Sequence, residues 1–446
     1  MDIQTLGHAG LLVSDDSGEP VLLTDPWLIG SCYWRSWWLQ NYPNQALMEN
    51  LMRVRYCYIT HEHPDHFHTA SIRKLSTNTQ FLSPSLPQER IAKYLSSQGS
   101  RASTIPGFEW KEIHPEIKIL SIPLFNDDSL LLIDTPEACI LNLNDSKPRV
   151  TQMRRLSRFL EENAPAKKRI LLSSYSPASI VNSFIRDTER VSIKSKEQYV
   201  RYISENCDLM RIDFYMPFAS QVIYKRSDSA WANEFKVSYR DLNHYWRAKD
   251  AVLLPPYAKM SLHNFEYSFT PEERYRHNEE EYIPKVLQQE HSDAAADFDD
   301  ACIEKLRQKL NHHRILLCVL FPKGIGFNLE SKDLYYNPWS GDISETAAKG
   351  NFILKIPAGV FRDAIEFGHF GDLGITMFTT IVLNSNIHPR RIYLLFIIMT
   401  FHDYGHTAKL ASFVRWFRNS IRIQEWNIPP LSTRTNGFIQ PPSTRS

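Results

Sequence analysis

Residues 60–68 read T-H-E-H-P-D-H-F-H and follow directly on the run Y-C-Y-I at 56–59. The stretch 56–60 (YCYIT) is aromatic and β-branched, the composition of a short buried strand. Three imidazoles and a carboxylate (His61, His63, Asp65 and His66) then fall within six residues at the strand's end. Side chains two apart in an extended chain share a face, so His61 and His63 can turn to one side. Asp65 and His66 then reach toward a second ion close by. Neutral imidazole and carboxylate together suit zinc, iron or manganese, and two adjacent ions can activate water or dioxygen. A polar surface loop is the alternative origin of such a run, but the strand before it and the spacing within it both argue for a dinuclear site. His68 lies outside the spacing and reads as an orienting or surface histidine.

Outward from this segment, apolar runs at 10–13 and 21–24 read as two strands joined by the turn D-D-S-G at 15–18. A helix is expected at 69–75, strands at 80–82, 117–122, 130–133, 138–143 and 170–173, and a helix at 151–163 with apolar spacing at Met153, Leu156 and Leu160. Strands and helices alternate, with the motif residues at strand ends, which is α/β architecture. Beyond about residue 194 helices dominate, at 196–206, 299–312 and 407–420. The charged stretch 271–284, with Glu279-Glu280-Glu281, reads as a solvated loop or helix face and as a boundary. Residues 351–361 (NFILKIPAGVF) and the stretch after them read as a small α+β unit. His402 and His406 are spaced as on one helix face, but Gly405 weakens a helix there, so they read as two unrelated histidines.

The 446 residues carry a net charge of +1, so no global field argues for nucleic acid or an anionic membrane surface. The longest apolar run, 393–401 (YLLFIIMTF), is about half a membrane span and reads as a buried strand or core helix. Cys32, Cys57, Cys139, Cys207, Cys302 and Cys318 form no CxxC pair, the pattern of reduced, mostly buried thiols in a cytoplasmic protein. The opening M-D-I-Q-T-L-G-H-A-G has no signal-peptide pattern.

The order His61-x-His63-x-Asp65-His66 after a strand resembles the signature of the metallo-β-lactamase superfamily. L-G-H-A-G at 6–10 and L-T-D-P-W-L at 23–28 resemble the branch holding ascorbate-phosphate lactonases and N-acyl-phosphatidylethanolamine phospholipase D. T-D-P-W-L-I-G at 24–30, W-R-S-W-W at 34–38, Y-I-T-H-E-H-P-D-H at 58–66, P-F-A-S at 217–220 and the stretch 128–145 look closer still to the catalytic region of cytidine-monophosphate N-acetylneuraminic acid hydroxylases. The likeness runs in pieces over about residues 1–265.

That resemblance implies an αββα sandwich over residues 1–270, a C-terminal α+β extension over 282–425, and a loose tail at 429–446. It implies two metal ions on His61, His63, Asp65 and His66, bridged by Asp145. The family places another histidine just before strand 130–133, where this chain has L-F-N-D-D at 124–128, so either Asp127 or Asp128 substitutes or the position is vacant. His263 is the late histidine on offer, as a ligand or as an ordinary loop residue. His8 is expected either beside the metals or as a capped turn histidine, Asp25 behind a ligand histidine, and Trp37 and Trp38 in a substrate wall or in the core. Carboxylate in place of imidazole hardens the site and favours iron over zinc or manganese. The implied activity is nonheme diiron oxygenation of a small polar metabolite. Hydrolysis of a phosphoester, amide or lactone is the second reading, and a metal-depleted binding protein the third. The hydroxylases carry a Rieske domain, and its Cys-x-His pattern is not in this sequence, so a separate electron donor is expected. No nucleic-acid or membrane partner is expected, and the C-terminal part is expected to cap the site or form a homodimer contact.

Overall fold

The computed structural model describes residues 1–124, 127–177, 183–191, 194–269, 275–276, 279–384, 387–407, 412–414, 416–418, 426 and 428–431. Residues 432–446 of the expected tail, and half of the helix expected at 407–420, lie outside them.

Two large sheets face each other. The first has eight strands in the order Tyr267–Ser268, Lys259–Ser261, Asp2–Leu6, Gly10–Ser14, Pro20–Thr24, Tyr56–Tyr58, Gln80–Pro84 and Arg101–Ile105. The second has seven, in the order Trp110–His114, Ile117–Pro123, Ser129–Asp134, Ala138–Asn144, Lys168–Ser174, Phe214–Phe218 and Val252–Leu253. Successive strand residues point to opposite faces, and the register separates them cleanly. Ile119, Leu131, Ile133, Ile140, Ile170 and Leu172 turn inward and meet Ile3, Leu11, Val13, Val21 and Tyr58 of the first sheet in one core. Their neighbours Leu120, Ile122, Leu132 and Leu141 turn outward onto Met153, Leu156 and Leu160 of helix Val150–Asn163 and Val200, Ile203 and Cys207 of helix Lys196–Met210. On the outer face of the first sheet, Leu12, Leu23, Cys57 and Phe81 pack against Leu51, Ile72, Ile91 and Leu95. The four layers are therefore helix, sheet, sheet, helix: the metallo-β-lactamase-type αββα sandwich.

A third sheet of seven strands belongs to the C-terminal part: Phe352–Lys355, Ile325–Asn328, Asp333–Asn337, Asp342–Ser344 and Thr380–Leu383, joined by the hairpin Phe184–Arg186 and Glu189–Val191. Its own core gathers Phe321, Phe327, Phe352, Phe361, Leu395 and Met399, with helices Asp300–His312, Ala358–Phe367 and Arg390–Asp403. The apolar run 393–401 is thus a core helix, and among the described residues no helix is long and apolar enough to cross a membrane. The hairpin runs back to the sandwich, so the two cores are stitched together well before the charged stretch 271–284. All six cysteines are free, and four of them are buried.

Candidate metal centre

The strand Tyr56–Tyr58 runs parallel to Pro20–Thr24 and delivers His61 to the end of the first sheet. Asp25, left-handed at φ 38°, follows the neighbouring strand. Its carboxylate accepts from the Thr60 N–H and hydroxyl, each at 2.8 Å, and stands 3.0 Å from His66 Nδ1. One buried carboxylate thus fixes the start of the motif and the ring of its last histidine. From the second sheet, Ala138–Asn144 ends at a left-handed Asn144 (φ 58°), whose amide donates to Thr60 Oγ1 at 2.8 Å. Asp145 follows at once. His8 comes from the turn between Asp2–Leu6 and Gly10–Ser14. Gly7 makes that turn at φ +58°, where a Cβ would meet the Trp27 carbonyl at 2.5 Å.

His61 Nε2 meets His63 Nδ1 at 2.8 Å. His66 Nε2 looks toward Asp65 Oδ2 at 3.3 Å and Asp145 Oδ2 at 3.9 Å. His8 Nε2 stands 3.1 Å from Asp65 Oδ2, and Tyr33 donates to Asp65 Oδ1 at 2.5 Å. Two triads result, His61–His66–Asp145 and His8–Asp65–His66, each with ligand atoms within 4.8 Å of one another. They share His66, whose Nδ1 faces Asp25, so the two groups overlap at the one remaining nitrogen of that ring. His66 Nε2 and Asp145 Oδ1 are buried without a hydrogen-bond partner. Buried polar atoms are rarely left so, and bound cations would satisfy them; the donor set fits two ions.

The electrostatics agree with that fit. Burial alone would raise Asp65, but His66 and His8 hold its carboxyl well below the ordinary range. His61 and His66 likewise outweigh burial and lower Asp145. Burial lowers His8 and His63. Ionised carboxylates and neutral imidazoles are the states a cation requires. His61 and His66 are the exceptions: burial would lower both, but Asp128 raises His61, and Asp65 and Asp25 raise His66 well above the ordinary value, so an ion on His66 Nε2 displaces a proton.

Three expected residues lie elsewhere. Asp128 faces His61 Nδ1 at 3.3 Å, on the side of the ring away from His63, and accepts from the Ser129 N–H at 2.6 Å. There it stands behind the ring, where an orienting carboxylate sits. Asp127 is left-handed (φ 59°), so the two neighbouring carboxylates diverge, and Asp127 pairs with His406 of the C-terminal part. His263 is exposed, 2.7 Å from Asp16 Oδ1 and 2.9 Å from the Met1 amino group. It therefore sits at the start of the strand whose other end leads to His8. Trp37 packs on His8 and Tyr33, with ring centroids 5.9 and 4.9 Å away. Trp38 turns from the cluster onto Tyr282 at 4.7 Å. His68 caps helix Thr69–Ile72 by accepting from the Ser71 N–H.

Beside the cluster opens a cavity of about 550 Å³, with His63, Glu62, Tyr33 and Arg90 on one side and Asp372 and Tyr404 on the other. Arg90 bonds Glu62 at 3.1 Å and lies 5.1 Å above the Tyr404 ring. The C-terminal part thus forms a wall of the cavity. Glu62 lies inside the motif and was open to notice; Arg90, Asp372 and Tyr404 carry no local pattern at all.

No protein-family model matches the chain. It is 30% identical over 112 residues to the cytidine monophosphate-N-acetylneuraminic acid hydroxylase of Xenopus laevis, a match covering 23% of this chain and 18% of that protein. With the Danio rerio hydroxylase it shares 28% over 141 residues, covering 29% and 23%. The chain thus matches less than a quarter of the length of these curated relatives. Among solved structures, the isothiocyanate hydrolase from Delia radicum gut bacteria superposes on 58% of this chain and 99% of its own, at 14% identity and a TM-score of 0.37.

Proposed function

We propose that this chain is a metal-dependent enzyme that oxygenates a small polar metabolite, with two iron ions held by His61, His63, Asp65, His66, Asp145 and His8. The observation that carries the enzymatic reading is the pair of triads sharing His66, set beside a cavity of about 550 Å³. Oxygenation is supported by the partial likeness to hydroxylases. A bound iron pair supplies redox chemistry toward dioxygen, whereas zinc or manganese supplies Lewis acidity.

The chain's own residues do the positioning. Asp25 and Asp128 hold the rings of His66 and His61 from behind, which fixes their tautomers. Tyr33 holds Asp65. Arg90, already paired with Glu62, presents a cation to an anionic substrate group. Inserting one oxygen atom and releasing the other as water consumes two electrons and two protons per turnover. A separate reductant protein is part of the proposal.

Zinc- or manganese-dependent hydrolysis is the second reading. One observation favours it: with Asp128 behind His61, the ligand set is richer in imidazole than the sequence pattern implied. Elemental analysis of protein purified without added metal decides between them. About two irons per chain, with dioxygen uptake when an artificial reductant is supplied, supports oxygenation. Zinc alone, with turnover of a generic phosphodiester, overturns it.

A further inference from the structure

We propose a second, mononuclear metal site formed by His312, His313 and His402 in the C-terminal part, taking a divalent transition ion such as Zn²⁺ or Cu²⁺. It is independent of the paired cluster and of the reaction proposed for it.

Consecutive residues on one helix point about 100° apart and do not face a common point. Here the helix breaks between them. His312 ends helix Asp300–His312, and His313, at φ −111° and ψ 16°, is both its cap and the residue before helix Arg314–Leu320. The break lets both rings turn to His402, in the last turn of helix Arg390–Asp403. Ring centroids are 4.8, 4.9 and 5.2 Å apart, with planes crossing at 72 to 77°. That arrangement is edge-on rather than stacked. One ring nitrogen from each residue lies within 4.8 Å of the other two. His313 Nε2 and His402 Nδ1 are already 3.2 Å apart. Zinc bonds of about 2.0–2.1 Å place tetrahedral ligand nitrogens about 3.3 Å apart. His312 is exposed and closes the remaining gap by rotating from Thr407 O, its present partner at 2.8 Å.

Two further observations favour a cation. The helices Asp300–His312 and Arg390–Asp403 both aim their C-terminal ends here, and those ends carry partial negative charge. The nearby ammonium of Lys309 is neutralised by Asp403. An all-imidazole set selects Zn²⁺, Cu²⁺ or Ni²⁺ over Mg²⁺ and Ca²⁺. An ion here would clip the end of one helix to the other.

The test counts Zn²⁺ bound to the metal-stripped full chain, in competition with a chromophoric chelator. Wild type is compared with H312A, H402A and H61A. The expected result is one equivalent fewer in H312A and in H402A, and retention of that equivalent in H61A. Should H402A fail to fold, H312A decides alone, because its side chain is exposed and its loss opens no cavity. Equal stoichiometry and affinity in H312A and wild type overturns the proposal. Cu²⁺ titrated into wild type and H312A should differ by a nitrogen-coupled electron paramagnetic resonance component that integrates to about one ion per chain; the absence of such a difference also overturns it.

Discussion

Asp128 Oδ1 stands 3.3 Å from Nδ1 of His61, while the opposite ring nitrogen meets His63 at 2.8 Å. One imidazole therefore has a carboxylate at its back and a fellow ligand at its front. A carboxylate behind a ligand histidine fixes its tautomer and raises its basicity, and losing it typically weakens metal binding about 10–100-fold. D128N should thus bind as many ions as wild type at saturation, each more weakly, whereas D145N should lose an ion. Metal titration followed by elemental analysis distinguishes the two. If D128N lost a whole equivalent at saturation, Asp128 would be a ligand after all.

Asp25 accepts two hydrogen bonds from Thr60 and faces His66 Nδ1, fully buried. Removing one partner of a buried charged pair strands the other, at a cost of about 3–5 kcal/mol. D25A should lose stability on that scale even without metal, because the Thr60 N–H is orphaned as well. Urea unfolding of the metal-free proteins measures it. A loss no larger than that of a surface substitution would show that Asp25 does not organise the motif.

These two carboxylates illustrate what was legible in the sequence. The four motif residues lie within six positions at one strand end, so local pattern sufficed to bring them together, whereas Asp25 came with the resemblance to a known family. Which side of His61 Asp128 takes was not legible, because the left-handed Asp127 sends adjacent carboxylates in opposite directions, and φ at an aspartate is not written in composition. Arg90 and Tyr404 come together only when two cores close on each other, across a separation no periodicity records. The pair His402 and His406 shows the same limit. The first joins His313 and the second Asp127, so their spacing along the helix said nothing about their partners. The αββα layers were easier, since each strand's alternation reports both faces of its sheet.

Arg226 couples the tryptophan-rich segment to the helix Glu279–Ala295. Its guanidinium bonds Asp293 at 2.5 Å, the Trp34 carbonyl at 3.0 Å and Asp228 at 2.8 Å, and lies 4.7 Å from the Phe378 ring centre. The side chain is 1% exposed, and burial already raises the Asp293 carboxyl. R226A should cost about 3–5 kcal/mol by leaving that carboxylate unpaired. R226K should rescue little of it, because an ammonium cannot reproduce the planar fork. D293A should cost less, since Asp228 still pairs the arginine. Denaturation midpoints for the three variants give the order; a D293A loss exceeding that of R226A would refute this account.

Lys236 supplies a pH test remote from either metal site. Its ammonium donates to the Val222 carbonyl, and burial lowers its pKa from 10.5 to about 7. Between those values the unfolded chain holds a proton that the folded chain has released. Stability contributed by this residue therefore rises with pH across the window, by up to about 1.4 kcal/mol per pH unit. Below pH 7 both states are protonated, and the buried charge weighs most against folding. K236M retains the apolar stem and removes the charge, so its advantage over wild type should be largest at and below pH 7 and shrink toward pH 10. Other groups that titrate in this range, including the buried thiol of Cys57 and hydroxyl of Tyr58, which burial pushes up, are common to both proteins and cancel in the difference. Urea unfolding of both proteins at several pH values from 6 to 10 measures that gap. A gap that widened with rising pH would mean that Lys236 is charged and well partnered in the folded state.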